Sequence, residues 1–324
     1  MKNKIDVIAL GELLIDFTMN GSSDQGNPLF EANPGGAPCN VLAMLSKLGK
    51  RTAFIGKVGR DSFGQMLCKR IEEAGICADY LLEDEKIPTT LAVVHTLPDG
   101  DRDFSFYRSP GADMMLSAAD VPQEAISRAR IFHFGTLSMT HEQVHEATLK
   151  ALEAAGRNGL LISLDPNLRP PLWSSLELAK ERMLEAISYC DILKISDNEI
   201  QFLSGLEDYE EGIAWLRERY DITLICLTLG RDGSHAYYKD LRVEMQSFPQ
   251  EQVVDTTGAG DTFCGCMLSY VLDHGLEDLQ ETDLKEMLAF ANAAASLVVT
   301  RKGALCSMPE QAQVQELLER KMGC

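Results

Sequence analysis

Short apolar runs exchange with segments of helical periodicity along most of the 324 residues. A chain patterned in this way builds strand–helix units, which assemble into a largely parallel sheet with helices on its faces. The apolar runs are 7–10, 53–58, 131–134, 160–164, 192–195 and 223–227. Helical patterns lie between them, and Gly49, Gly75 and Gly156 fall where such helices should stop. No repeat, low-complexity tract or linker divides the chain. The expected architecture is therefore α/β: one domain over residues 1–324, with a central, mostly parallel sheet flanked by helices in a three-layer sandwich.

Two stretches break the rhythm. Residues 17–34 are rich in Gly, Ser, Asn and Asp. Residues 88–114 read as two strands, LAVVHTL and RDFSFYR, joined by a turn at Pro98, Asp99 and Gly100. Alternation sends Phe104, Phe106 and Arg108 to one face of the second strand, and Ser105 and Tyr107 to the other. Together these stretches suggest a small β-sheet inserted in the α/β body, serving as a lid over a ligand or as a dimer surface. A plain surface hairpin is the alternative.

Composition excludes several function classes. A formal net charge of −19 opposes nucleic acid, whose phosphates demand clustered Lys and Arg. No apolar run approaches the roughly 20 residues a membrane helix needs. The opening MKNKIDVIALGELLID is basic and then apolar, but Asp6, Glu12 and Asp16 interrupt it, so it reads as a buried strand rather than a signal peptide. Nine scattered cysteines without a Cys-x-x-Cys pair fit buried thiols in a reducing compartment. The expectation is a cytoplasmic protein that binds neither nucleic acid nor membrane.

The segment VVDTTGAGDTF (253–263) carries the strongest chemical signal. Gly258, Ala259 and Gly260 permit close backbone approach at the start of an apolar helix, where free N–H groups and the helix dipole favour an anion. Asp261 beside such a site suits proton abstraction from an attacking hydroxyl. The alternative is a Gly-rich turn in which Asp261 only caps the helix. There is no Walker A sequence, so any phosphoryl transfer here proceeds without a P-loop. Nearer the N-terminus, Gly35 and Gly36 precede a helix containing Asn40, which offers both donor and acceptor to a polyol. Asp16, at the end of the first apolar stretch, adds an acceptor for hydroxyls.

GGAPCN and DTTGAGDTF resemble the two signature regions of the ribokinase (PfkB) family of sugar kinases. FYRSPGADMML, IFHFGTLS, LDPNLRPPLW, ILKISDNEIQFL and TLGRDGS resemble fructokinases in particular, in the same order along nearly the whole chain. The resemblance implies a ribokinase-like fold and transfer of the ATP γ-phosphate to the C6 hydroxyl of fructose. Asp261 would be the base, and Gly258, Ala259 and Gly260 the anion hole. Asp16, Gly35, Gly36, Asn40, Phe106, Arg108 and Arg169 would contact sugar or the transferring phosphate. Lys194, Thr228, Gly230, Gly233 and Asn292 would bind nucleotide, with Glu199 holding Mg²⁺ through water. Asp255, Thr257, Gly303 and Ser307 would surround a monovalent cation, usually K⁺. A homodimer through the lid is implied as well. Ser196 stands where many members carry Asn, so that asparagine's role does not transfer. A 2-keto-3-deoxygluconate kinase using Arg108 for the substrate carboxylate, phosphorylation at C1, and a non-catalytic sugar-binding relative remain the alternatives.

His141-Glu142-Gln143-Val144-His145 spells the zincin pattern. Thr140 and Gln143 instead suggest a capping box at an exposed helix start.

Overall fold

The computed structural model describes residues 5–96 and 102–323. The expected turn at Pro98, Asp99 and Gly100 lies outside them, as does the side chain of Phe104. The strands are β1 (Val7–Leu10), β2 (Leu14–Ser22), β3 (Pro28–Gly35), β4 (Thr52–Gly59), β5 (Ile76–Asp84), β6 (Leu91–Thr96), β7 (Arg102–Tyr107), β8 (Ile131–Gly135), β9 (Leu161–Asp165), β10 (Ile192–Ser196), β11 (Leu224–Thr228), β12 (Ser234–Tyr238) and β13 (Leu241–Met245). The helices are α1 (Ala37–Lys47), α2 (Ser62–Glu73), α3 (Gln123–Ile126), α4 (Glu142–Arg157), α5 (Leu176–Ile187), α6 (Asp197–Ser204), α7 (Tyr209–Arg217), α8 (Ala259–His274), α9 (Glu281–Val298) and α10 (Gln311–Met322).

A nine-stranded sheet forms the body, in the order β13-β12-β11-β10-β9-β8-β1-β4-β5. From β11 to β5 every pairing is parallel, and β12 and β13 close one edge as an antiparallel meander. Strands covered on both faces need apolar side chains on both, which explains the unbroken apolar runs. Alternate residues divide between two cores. Val7, Ala9, Phe54 and Ile192 pack under α1, α8 and α9. Ile8, Leu10, Phe132 and Leu193 pack under α4, α5 and α6. This is the expected three-layer arrangement. Each of the six expected strands is present, with ends moved by one residue at most.

Gly49 and Gly75 do end helices, in the left-handed region at φ 76° and φ 80°. Gly156 does not: α4 runs on to Arg157, and the left-handed glycine is Gly159 at φ 66°. No helix among the described residues is long and apolar enough to cross a membrane.

A second sheet, of order β3-β2-β6-β7, stands apart from the first. Its register sets Asn33, Asp16, Ala92 and Phe106 side by side on one face. Phe17, on the other face, meets Phe63 of α2 edge-on at 5.6 Å. The expected lid ran to residue 114, but the sheet ends at Tyr107. Beyond it the chain joins the body: the Ala112 amide donates to Pro88 O (2.9 Å) and Lys57 Nζ to Met115 O (2.9 Å).

Candidate active site

The carboxyl ends of β8, β9 and β10, the start of α8, and the inner face of the small sheet enclose a cleft of about 580 Å³. Ligand sites in open α/β sheets form at such strand ends. On one wall, Gly258 takes φ 82° and caps α8. Any side chain there is excluded, since a Cβ would stand 2.6 Å from that of Ala304. Gly258, Ala259 and Gly260 line the cleft. As at any helix start, amides of this turn lack intrahelical acceptors and can receive an anion.

Asp261 follows directly and also lines the cleft. Burial raises its pKa above the ordinary aspartate range, against the pull of the Asn40 hydrogen bond, Lys194 and Arg169. Asn40 Nδ2 donates to Asp261 Oδ2 at 2.8 Å. The other end of that amide, Asn40 Oδ1, is buried and has no partner. A buried acceptor left open beside a carboxylate is suited to a ligand hydroxyl.

The opposite wall is made by the chain entering α1. Gly36 sits at φ 130°, where a Cβ would lie 2.4 Å from Glu12 O. The Ala37 amide donates to Glu12 Oε1 at 2.7 Å, so a buried carboxylate caps α1 from below. Burial pushes Glu12 up to about 7, against these amide contacts. A Cβ on Gly35 would meet Asp16 Oδ2 at 2.2 Å, so this glycine makes room for the Asp16 carboxylate. Asp16 and Phe106 reach the cleft from the small sheet.

At the strand ends, Lys194 forms a buried ion pair with Asp165 at 3.1 Å. Burial works against the Lys194 charge, but Asp165, Glu199 and Asp261 outweigh it and hold the ammonium above the usual lysine range. Glu199 Oε1 accepts from the Leu168 amide (2.8 Å), and Oε2 accepts from the amide (2.9 Å) and hydroxyl (2.8 Å) of Ser196. Burial alone would raise Glu199, but Lys194 and these donors bring it below the ordinary glutamate range. An anionic, already well-bonded carboxylate at the cleft wall fits a hydrated Mg²⁺ better than direct ligation. Arg169 lines the cleft beside them, with Nη1 on Leu168 O at 3.1 Å.

The residues expected around a monovalent cation lie in the loops before α8 and after α9. Asp255 Oδ1 accepts from the Thr257 amide (2.8 Å) and Oδ2 from the Gly303 amide (3.1 Å). The Ser307 hydroxyl donates to Gly303 O. The buried Asp255 carboxylate thus ties the two loops together through backbone amides. No group of three or more His, Cys, Asp or Glu able to hold a metal occurs among the described residues.

Three expectations concern residues outside the lining of this cleft. Arg108 does not reach the cleft: Nη2 pairs with Asp113 Oδ2 at 2.7 Å, with side chains 2% and 3% exposed, while Nη1 donates to Thr140 Oγ1 (2.8 Å). Strand β7 has ended one residue earlier, so the alternation that carries Phe106 inward no longer applies. Arg108→Ala should therefore cost about 3–5 kcal/mol in denaturant unfolding, the cost of stranding a buried charge. A change under about 0.5 kcal/mol would contradict the structural role. Secondly, Thr228, Gly230, Gly233 and Asn292, expected at the nucleotide, lie beyond the lining of this cleft. Thr228 adjoins Ser196 across β10 and β11, and so marks the neighbouring strand end. Asn292 is buried, its Nδ2 donating to Met245 O (3.1 Å) and its Oδ1 accepting from Ser234 Oγ (3.1 Å). Thirdly, Thr140 and Gln143 form no capping box: Gln143 Nε2 donates to Met115 O, and His141 occupies the N-cap. In that same motif, His145 Nε2 lies 2.8 Å from Glu185 Oε2.

Glu12 and Asp165 were not expected in the site. For Asp165 a signal existed: Lys194 lies in the apolar run ILKIS, and a lysine buried in a strand demands a carboxylate nearby.

The pfkB family carbohydrate kinase model matches residues 4–311. Fructokinase-1 of Zea mays is 40% identical over 97% of this chain and 98% of its own. The fructokinase of Xylella fastidiosa, solved with bound ATP, superposes with a TM-score of 0.89 at 31% identity, covering 99% of this chain and 100% of its own. A fructokinase double mutant from Vibrio cholerae O395, solved with fructose, ADP and potassium ion, gives a TM-score of 0.87 at 26% identity over 98% and 100% of the two chains. A family match over nearly the whole length, on a ribokinase-like fold with the signature residues gathered in one cleft, leads to one conclusion. The chain belongs to the pfkB family of carbohydrate kinases and is an ATP-dependent sugar kinase.

Proposed function

We propose that this kinase phosphorylates D-fructose at its C6 hydroxyl, giving fructose 6-phosphate and ADP. The observation that carries the reading is the meeting of Asp261, the glycine-rich helix start and the open Asn40 acceptor in one cleft. The fructokinase relatives, and a neighbour that binds fructose with ADP, support the choice of sugar.

Asp16 and Asn40 hold sugar hydroxyls, with Phe106 against the carbon face. Asp261 accepts the proton of the C6 hydroxyl as its oxygen bonds to the γ-phosphorus. The bond to the bridging oxygen breaks, and its electron pair leaves on the β-phosphate of ADP. The amides around Gly258 and Gly260, with Lys194 and Arg169, meet the charge on the equatorial oxygens. The nucleotide extends past Ser196 towards Thr228, Gly230 and Gly233, with Asn292 as a brace for that strand edge. Glu199 would hold a hydrated Mg²⁺, which would supply neutralisation of phosphate charge, and the Asp255 loop would hold K⁺, which would supply stiffness to the anion hole. The small sheet acts as a lid that excludes water, a competing acceptor.

Met19, Phe30 and Tyr107 lie on the lid face turned from the cleft, 61%, 43% and 65% exposed. Apolar exposure of that kind supports a homodimer through the lids. The described cysteines form no disulfide, in keeping with a cytoplasmic setting.

The keto-acid alternative relied on Arg108, whose burial with Asp113 withdraws that support. Coupled ADP release with MgATP and K⁺, measured across fructose, ribose, 2-keto-3-deoxygluconate, glucose and fructose 6-phosphate, tests the sugar. Fructose should give the highest kcat/KM by at least about tenfold, a difference of 1.4 kcal/mol in transition-state binding. A higher value for the keto-acid would overturn the substrate and keep the mechanism.

A further inference from the structure

Asp165 lines the cleft and has no part in the mechanism above, yet both its oxygens face one cation. It stands at the carboxyl end of β9, level with Lys194 on β10, because Leu164 pairs with Leu193 one residue before. Its two oxygens lie 3.2 and 3.1 Å from Lys194 Nζ, and both residues are buried. The turn that follows is pinned, with Pro166 O accepting from the Thr136 amide (3.2 Å) and hydroxyl (2.6 Å).

The neighbouring acids are otherwise occupied. Both Glu199 oxygens accept from Leu168 and Ser196, and Asp261 Oδ2 accepts from Asn40. Lys194 nevertheless stands against the helix start: a Cβ on Gly260 would be 3.1 Å from Nζ. Its ion pair is with Asp165 and not with Asp261, one residue further along.

We propose that Asp165 is a positioning residue for phosphoryl transfer, anchoring the Lys194 ammonium beside Gly260 so that it meets the phosphoryl group and forms no ion pair with Asp261. This rests on the assignment of Gly260 and Asp261 to the reaction. Without the anchor, Lys194 is drawn to the nearest remaining carboxylates, Glu199 and Asp261. An ion pair with Asp261 would both withdraw the charge from the anion hole and weaken the base.

The test compares wild type, Asp165→Asn, Lys194→Met and the double variant by steady-state kinetics, with sugar binding followed by calorimetry. Asp165→Asn should lower kcat roughly hundredfold, while sugar affinity stays within about threefold, because the sugar contacts lie on α1 and the small sheet. In the Lys194→Met background the same substitution should change kcat by less than about threefold, since its target is gone. Should Asp165→Asn fail to fold, Asp165→Glu carries the test: it keeps the charge but displaces it, and kcat should still fall at least about tenfold. Either variant turning over within threefold of wild type, or two losses that multiply, would overturn the proposal. Wild type is assayed first with the full sugar panel. Another preferred sugar moves the substrate and leaves these ratios readable, whereas silence with every sugar defeats the reaction assignment along with this proposal.

Discussion

Asp261→Asn should bind sugar as the parent does and lose at least about a hundredfold in kcat, the scale of a missing general base. The substitution is isosteric and keeps an oxygen for the Asn40 Nδ2 donor, so the wall between α1 and α8 is preserved. What it removes is the capacity to take a proton in a cleft where burial has already raised the carboxyl pKa. That shift has a sign: the base works only when ionised, so wild-type kcat should fade as pH drops through the raised value. Steady-state ADP release, paired with calorimetric titration of fructose, separates turnover from binding. Near-normal turnover in the variant would remove Asp261 from the chemistry.

Gly258→Ala should be nearly as damaging by a different route. Alanine at φ 82° costs about 1–2 kcal/mol in the left-handed region. Its methyl would also stand 2.6 Å from the Ala304 Cβ, so either α8 or the loop must shift. Ala304 follows Gly303, whose amide is tied to Asp255, so the displacement passes between the α8 start and the Asp255 loop. A misplacement of about 1 Å at the phosphoryl site is enough to lower kcat on the order of a hundredfold. Sugar affinity should hold, because Asp16 and Asn40 belong to other elements. Full kcat in a folded Gly258→Ala enzyme would contradict the placing of the anion site at this helix start.

The sequence was most legible where one physical demand acts alone. Strands buried on both faces show as unbroken apolar runs, and those of the parallel core appear within a residue of their ends. The edge strand β5 carries Asp79, Glu83 and Asp84, and alternates too weakly to stand out. Glycines forced by close approach, Gly36 and Gly258, were readable because only glycine meets that demand. Arg108 is placed apart from Phe106 because alternation says nothing about where a strand stops, and Asp113 claims its guanidinium one residue past the end. Glu12 looked like a flaw in an apolar run until the fold brought the α1 start above it. Asp165 and Lys194 lie 29 positions apart, and only the parallel pairing of β9 and β10 makes them partners. Local pattern therefore locates elements, while contacts between elements assign the polar side chains.

The most direct test of the central claim is the position of the new phosphate. Carbon-13 NMR of the product from uniformly labelled D-fructose, MgATP, K⁺ and the enzyme should show phosphorus coupling at C6, with C1 unsplit. Coupling at C1, or an unphosphorylated sugar from folded protein, would contradict an account in which Asp261 receives the proton of the C6 hydroxyl.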